Sequence, residues 1–89
     1  MKLAHVFKAL SDETRQQIVE MLRERDLSAS EIGAAFRLTQ PSVSHHLSVL
    51  REAELVDCQR RGQRIVYSLN RTGFQECWSR FFRRFVNPD

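Results

Sequence analysis

Residues 38–50 constrain the fold of this chain more than any other stretch. Their apolar members recur at intervals of four and then three positions, which predicts an α-helix with one buried stripe. The stripe consists of Val43, Leu47 and Leu50. Thr39 is a favourable N-cap, and Pro41 is tolerated in the first turn because its missing N–H would have no helical partner there. We therefore predict a helix that packs one side against a core.

The other side of this helix carries small hydrogen-bonding side chains close to its N-terminus. Helix N-termini attract phosphates, and Gln, Ser and His side chains can hydrogen-bond to base edges. The predicted DNA-binding residues of this helix are Thr39, Gln40, Ser42, Ser44 and His45. His46 instead lies beside the apolar stripe, which indicates a role in packing or orienting the helix.

A shorter helix is predicted directly before this one. Ser28 and Glu31 have the spacing of a capping box, in which each side chain accepts a hydrogen bond from a free N–H of the first turn. The helix continues to about Phe36, and the tight turn 37–38 follows it. Two helices joined by so short a turn, the second polar at its start, are typical of a helix-turn-helix, here at about 28–53.

Two further helices are predicted upstream, separated by the breaking and capping pair Ser11 and Asp12. Helical spacing in the first involves Leu3, Val6, Phe7 and Leu10. The buried stripe predicted for the second contains Ile18, Met21 and Leu22.

After Ala53 the apolar period changes from helical to alternating. Residues 55–59 predict one strand, residues 61–63 a turn, and the alternation of Ile65, Tyr67 and Leu69 a returning strand. This hairpin, at about 55–69, has the form of a wing with a basic tip. Its arginines are predicted to bring the wing to the DNA backbone, with one at the tip entering the minor groove. They are Arg60, Arg61 and Arg64.

A last helix is predicted at about 71–86, capped by Asn70 or Thr72, and it is unusually rich in large apolar residues. One face of a surface helix rarely needs so many, and exposed apolar patches usually mark interfaces. We predict a homodimer joined by this helix and the first, although a purely intramolecular core remains an alternative. The predicted dimer-interface residues are Leu3, Phe7, Phe74, Trp78, Phe81, Phe82 and Phe85.

Charge is distributed unevenly along the chain. Residues 1–36 hold five Lys/Arg and six Asp/Glu, whereas residues 37–71 hold six Arg and three Asp/Glu. Positive charge therefore concentrates on the segment predicted to contact DNA. A solvated basic surface without a partner is the alternative explanation of this pattern alone.

Several functional classes are disfavoured. At 89 residues the chain predicts one domain, 1–89, and no apolar run approaches the roughly 20 residues of a membrane span. Lys8 and Asp12 interrupt the apolar core that a signal peptide needs, so we expect a cytoplasmic protein without membrane insertion. Ser44 and His45 are adjacent on a helix, and their side chains diverge by about 100°. We therefore predict no catalytic residues and no enzyme activity.

Four motifs, in this order, resemble those of the ArsR/SmtB family of bacterial winged-helix repressors. They are residues 7–15 (FKALSDETR), 40–47 (QPSVSHHL), 50–56 (LREAELV) and 62–67 (GQRIVY). The resemblance covers about residues 3–70 and implies a mainly α fold with a small β-hairpin, a winged helix-turn-helix. It also implies a homodimeric repressor whose recognition helices enter successive major grooves of an inverted-repeat operator in double-stranded DNA. The chain is close to the minimum size of a winged-helix domain, which favours a constitutive or autoregulatory repressor, one that acts on its own promoter.

Many members of that family sense metals, but the ligand positions are not filled here. Ser28 and Ser30 occupy the positions of a Cys-x-Cys ligand pair, and hydroxyls do not replace thiolates toward a soft metal. The last helix contains no histidine, and Cys58 and Cys77 form no Cys-x-x-Cys pair. We therefore expect no metal site and no cofactor.

Three alternatives to a constitutive repressor stay open at this point. The protein could respond to metals or thiols, Cys58 and Cys77 being the candidate redox residues. It could be released from DNA by a regulatory protein or a small ligand. Finally, the winged helix could be an interaction module whose arginines meet an acidic protein.

Overall fold

A computed structural model describes residues 1–86 and shows a helical body, a β-hairpin and a C-terminal helical segment. The helices of the body are α1 (Leu3–Leu10), α2 (Glu13–Glu24), α3 (Ala29–Phe36) and α4 (Gln40–Glu52). The strands are β1 (Leu27–Ser28), β2 (Val56–Arg61) and β3 (Arg64–Leu69). The chain then forms α5 (Arg71–Cys77), a π-helical segment (Trp78–Phe82) and α6 (Arg83–Val86). The predicted mainly α fold with a β-hairpin is confirmed.

The core lies where the four helices of the body meet the base of the hairpin. The predicted stripe of α4 is confirmed, since Val43, Leu47 and Leu50 are at most 1% exposed. Buried residues from the other elements complete the cluster, notably Val6, Ala9, Ile18, Leu22, Leu27, Ile32, Leu55 and Val56. Burial of each large aliphatic side chain contributes about 1.5–3 kcal/mol, so α4 is held mainly by its apolar side.

The predicted N-caps of the helices are present in the structure. The Asp12 carboxylate accepts from the Arg15 N–H at 3.0 Å, and the Thr39 hydroxyl accepts from the Ser42 N–H at 3.4 Å. The capping box of α3 is complete, because the Ser28 hydroxyl accepts from the Glu31 N–H while the Glu31 carboxylate accepts from the Ser28 N–H. These bonds satisfy backbone donors that have no partner within their helices.

Strand β1 is a feature that the sequence pattern did not predict. It pairs antiparallel with β3, Leu27 opposite Tyr67 and Ser28 opposite Val66, so the sheet has three strands in the order β1-β3-β2. Two residues are too few to show an alternating pattern, and both are buried. Because Ser28 is also the N-cap of α3, the wing is hydrogen-bonded to the residue at which the helix-turn-helix begins.

The C-terminal segment is helical from 71 to 86, as predicted, but its middle part is not α-helical. Of the two predicted N-caps, Asn70 and Thr72, the structure uses Asn70. Its side-chain oxygen accepts a hydrogen bond from the Gly73 N–H at 3.2 Å. Residues 78–82 are π-helical, and the Arg83 N–H bonds to the carbonyl of Trp78, five residues back. Apolar spacings of three and four are compatible with either helix type, so the pattern located the helical segment without revealing its π-helical part.

A tight backbone contact fixes α5 to the end of α4. Glu54 has a φ of 61°, and its carbonyl accepts from the Asn70 side-chain amide at 3.0 Å. Gly73 packs so closely on this carbonyl that an added Cβ would lie 1.9 Å from the oxygen. Only glycine fits at this position, and the obstacle is backbone rather than a flexible side chain.

We expect Gly73→Ala to lower the free energy of unfolding by about 3 kcal/mol, since the backbone must move apart to admit the methyl group. Urea denaturation measures the loss. Gly62→Ala is the matched control, because Gly62 has a φ of 64° but nothing within 4 Å of an added Cβ. Its cost should be about 1 kcal/mol, from the left-handed conformation alone. Equal losses in the two variants would contradict the proposed contact.

Candidate nucleic-acid interface

The N-terminal half of α4 presents most of its predicted DNA-binding side chains to solvent. Thr39, Gln40, Ser44 and His45 are exposed, and Ser42 is half-buried. The Thr39 hydroxyl donates to the Ser42 hydroxyl at 3.1 Å, so these two side chains are bonded to each other. Gln40 and Ser44 are one turn apart and share one side of the helix. The side of α4 opposite the core is therefore polar and open.

The turn before α4 brings α3 very close to it. Arg37 takes a left-handed conformation with a φ of 55°, and the Leu38 N–H bonds to the Gly33 carbonyl at 3.0 Å. An added Cβ at Gly33 would lie 3.3 Å from a methyl group of Val43. At this point α3 and α4 are in close van der Waals contact, which fixes how the two helices pack on each other.

The three wing arginines do not form a single patch. In the hairpin, Arg60 pairs with Ile65 and Arg61 with Arg64. Residues directly opposite on antiparallel strands lie on the same face of a sheet, and successive residues on a strand alternate between faces. Arg61 and Arg64 therefore share one face of the wing, whereas Arg60 lies on the other.

Two of these arginines make ion pairs with the body of the protein. The Arg64 guanidinium is 2.9 Å from the Glu31 carboxylate, and that of Arg61 is 3.8 Å from Asp26. All four side chains are well exposed, so each pair contributes little to stability. The same Glu31 oxygen also accepts from the Ser28 N–H at 2.8 Å, so one carboxylate joins the cap of α3 to the wing. Sequence reasoning missed both ion pairs, since neither acid is close to its arginine in sequence.

A groove of about 200 Å³ separates the wing from the helix-turn-helix. Its lining combines the start of α3, the start of α4 and the wing tip, namely Ser28, Ala29, Ser30, Gln40, Gln63, Arg64 and Ile65. The groove shows that the two regions predicted to contact DNA, α4 and the wing, adjoin each other at their exposed ends.

The inner side of α4 rests on a buried arginine that sequence reasoning had not assigned. Arg15 of α2 is 8% exposed, and its guanidinium donates to the carbonyls of Ala9 at 2.9 Å and Lys8 at 3.1 Å. It also contacts His46 Nδ1 at 3.2 Å, and Asp12 lies 3.8 Å from the same nitrogen. Burial, and to a lesser degree the Arg15 charge, lower the pKa of His46 despite the opposing effect of Asp12. His46 thus lies in the contact between α4 and the start of α2.

The residues that could bind a metal or react as thiols have few of the features that this chemistry requires. Ser28 and Ser30 lie at the groove, and the Ser28 hydroxyl is engaged in the capping box. Within residues 1–86, no three or more His, Cys, Asp or Glu side chains are grouped so that they could hold a metal ion. Cys58 is half-buried, and burial raises the pKa of the Cys77 thiol, which disfavours the reactive thiolate.

The predicted dimer-interface residues fall into two groups. Leu3 and Phe74 are half-buried against the core. The aromatic cluster comprises Phe7, Trp78, Phe81, Phe82 and Phe85, of which all but the half-buried Phe81 are exposed. Phe7 of α1 packs edge-to-face on Phe81 at 5.3 Å and on Phe82 at 6.0 Å between ring centroids. The structure therefore joins the first and last helices in one aromatic surface.

Comparison with known proteins identifies the family. The profile of the bacterial regulatory protein arsR family matches residues 12–57, from the N-cap of α2 to the start of β2. The chain belongs to the ArsR family. It is 46% identical over 72 residues to the transcriptional repressor SdpR of Bacillus subtilis, covering 81% of this chain and 80% of that protein. The chain is thus a DNA-binding transcription regulator with a winged helix-turn-helix.

A further relative and a solved structure support this assignment. The arsenic resistance transcriptional regulator ArsR1 of Pseudomonas putida is 41% identical over 66 residues, which cover 73% of this chain and 52% of that regulator. An ArsR-like transcriptional regulator from Rhodococcus sp. RHA1 superimposes with a TM-score of 0.84 at 30% identity, covering 96% of this chain and 80% of that one. Among the described residues, the ArsR-family chain has no helix with the length and hydropathy for crossing a membrane.

The Glu31 carboxylate accepts hydrogen bonds from both the Ser28 N–H and Arg64, and its titration tests how strongly each contact acts on it. Its pKa is lowered chiefly by the Ser28 N–H, then by the Ser28 hydroxyl, and less by Arg64. We expect the Glu31 pKa to stay below its ordinary range in Arg64→Gln, measured by NMR titration. Because the folded-state pKa is depressed, the stability contributed by the ionised carboxylate is present above the unfolded-state pKa and is lost as the pH falls through the folded-state value.

In the same titration, Ser28→Ala is the matched variant, since it removes the hydroxyl and keeps the backbone N–H. It should shift the Glu31 pKa upward by more than Arg64→Gln does. A full return to the ordinary pKa in Arg64→Gln would show that the wing, and not the capping box, controls this carboxylate.

Proposed function

We propose that this ArsR-family chain is a homodimeric, sequence-specific repressor that binds an inverted-repeat operator in double-stranded DNA. The observation that carries the proposal is the exposed polar side of α4, which adjoins the wing tip across an open groove. Bound at a promoter, including its own, such a dimer would exclude RNA polymerase without any catalytic step. The Bacillus subtilis relative is named as a repressor, which supports repression as the output. A cytoplasmic location follows from this function, because the operator DNA is there.

The side chains of α4 divide into two proposed roles. Gln40, Ser44 and His45 are exposed and would contact base edges in the major groove, with the Gln40 amide suited to adenine. Thr39 and Ser42 bond to each other at the helix start and would contact the adjacent phosphates.

The wing would add backbone contacts on both of its faces. Arg61 and Arg64 exchange their exposed ion pairs with Asp26 and Glu31 for phosphate oxygens, at little cost because such pairs are weak. Arg60, on the opposite face, would contact a different stretch of the DNA backbone. Together these residues would carry much of the salt-dependent affinity.

The exposed aromatic cluster is the observation that supports a homodimer. Trp78 is 47% exposed and Phe85 71% exposed, and Val86 extends the same apolar surface. Because the chain is elongated, at 47 × 24 × 21 Å, the C-terminal segment has few elements of its own protomer available to cover it. A two-fold interface would bury this surface and set two α4 helices about one helical turn of DNA apart.

We expect Gln40→Ala or His45→Ala to weaken operator binding by about 1–3 kcal/mol and to relax sequence preference, because each removes a base-edge contact. Arg61→Ala should weaken binding to operator and random DNA alike and reduce the salt slope by about 1 per bound wing. Fluorescence anisotropy on an operator selected from genomic fragments, at two salt concentrations, measures both effects. Arg23→Ala, which removes the same charge from exposed ion pairs on α2, is the control. Equal losses on both DNAs for all three variants would contradict the assigned roles, and no binding at low salt would contradict the function.

We expect Trp78→Glu or Phe82→Glu to convert the protein to a monomer, because a carboxylate cannot be desolvated in an apolar interface. Loss of the second DNA-binding head should lower operator affinity by about a hundredfold or more. Analytical ultracentrifugation measures the association state. Ser79→Glu, at an exposed position on the same segment, is the control and should stay dimeric. A wild-type protein that is monomeric at micromolar concentrations would contradict the dimer.

A further inference from the structure

The contact between α4 and α2 contains a histidine that lies close to both a cation and an anion. His46 is half-buried, with Arg15 of α2 at 3.2 Å from its Nδ1 and Asp12 at 3.8 Å from the same atom. An arginine guanidinium has only donors, so the contact is a hydrogen bond only when His46 Nδ1 is unprotonated. The ring is then neutral and carries its proton on Nε2.

The structure assigns to His46 the role of a proton-sensitive latch on α4, in which the neutral ring is held by Arg15 and the protonated ring by Asp12. On protonation, Nδ1–H would face the Arg15 guanidinium, donor against donor and cation against cation. The Asp12 carboxylate is the acceptor within reach, less than 1 Å beyond hydrogen-bond distance. The proton comes from solvent, and no bond other than N–H is formed.

The change of His46 partner from Arg15 to Asp12 affects α4 because Arg15 connects this helix to α1. Its guanidinium is anchored by the carbonyls of Ala9 and Lys8, which end α1, so the neutral latch joins α1, α2 and α4 through one side chain. Asp12 instead belongs to the turn before α2, where it is the N-cap. A ring that exchanges Arg15 for Asp12 therefore loses its bond to the guanidinium anchored on α1 and gains one to the turn before α2. Arg15 and His46 are thus positioning residues and are not DNA contacts.

Other titratable groups lie along α4 and the contact between α1 and α4. His45 precedes it on α4, with ring centroids 5.7 Å apart, and is exposed. Further along the α1–α4 contact, Lys8, His5 and Glu52 line one small cavity, and His5 pairs with Glu52 at 3.5 Å. Burial lowers the pKa of His46, Asp12 raises it, and Arg15 and His45 lower it further. The net direction favours the neutral, Arg15-bound form at neutral pH.

The sign of the pH effect separates the latch from general electrostatics. Because the folded-state pKa of His46 lies below its unfolded value, the latch contributes its full stability above about pH 6.5, and this is lost as the pH falls toward the folded-state pKa. Operator affinity, which rests on the proposed function, should fall over the same range. A general gain of positive charge at lower pH would instead strengthen DNA binding.

The test combines NMR titration of the imidazoles in free protein with operator binding between about pH 7.5 and about pH 5.5. We expect wild-type Kd to rise about fivefold or more, and His46→Asn, which keeps an acceptor near the Nδ1 position, to change less than about twofold. Asp12→Asn keeps the N-cap and should move both the His46 titration and the loss of binding to lower pH, whereas Arg15→Gln should move both to higher pH. His45→Asn is the control and should weaken binding while retaining the pH-dependent loss.

The two readouts separate failure of the latch from failure of the proposed function. The latch is overturned if the His46 pKa is ordinary and changes in neither Asp12→Asn nor Arg15→Gln, regardless of the result of the operator-binding experiment. The same holds if His46→Asn keeps the wild-type pH dependence. Absence of operator binding at any pH, with the imidazole titration shifting as expected, supports the latch and overturns the proposed function.

Discussion

The burial of one side of α4 is the constraint on which the rest of the structure depends. Val43, Leu47 and Leu50 are removed from water, and each contributes more to stability than any polar contact of this helix. Since side chains project from an α-helix in fixed directions, burying this stripe leaves Gln40 and Ser44 facing outward. The exposed polar side of the helix is a geometrical consequence of the core.

The wing is positioned by polar contacts that depend on this core. Strand β1 joins the N-cap of α3 to the hairpin, and the Glu31 carboxylate bonds to both the Ser28 N–H and the Arg64 guanidinium. The beginning of the helix-turn-helix and the wing are therefore linked by both backbone and side-chain contacts. On the inner side, Arg15 performs a comparable task for α4, because its guanidinium bonds to carbonyls of α1 and to His46. Polar side chains at the ends of elements thus connect α4 and the wing to the rest of the fold.

Much of the fold was predictable because local chemistry and the core favour the same arrangement. The capping box at Ser28 and Glu31, the N-cap at Thr39 and the apolar stripe of α4 each identify a helix by short-range rules, and all three are present. The same rules did not reveal β1, which is too short to have a period, or the π-helical residues 78–82, whose apolar spacing suits either helix type. Short-range patterns identify an element well when it is long enough to repeat.

The candidate interface shows the same division. Which residues of α4 are polar and exposed follows from the period of the helix, and so does the richness of the last segment in aromatic side chains. The separation of Arg60 from Arg61 and Arg64 on two faces depends on the hairpin register. The burial of Arg15 against His46 depends on how α1, α2 and α4 pack. The sequence alone determined the elements and their buried sides, because periodicity and capping act over a few residues. Only the tertiary structure decided which distant charges meet, because ion pairs and buried hydrogen bonds depend on distances that no local pattern records.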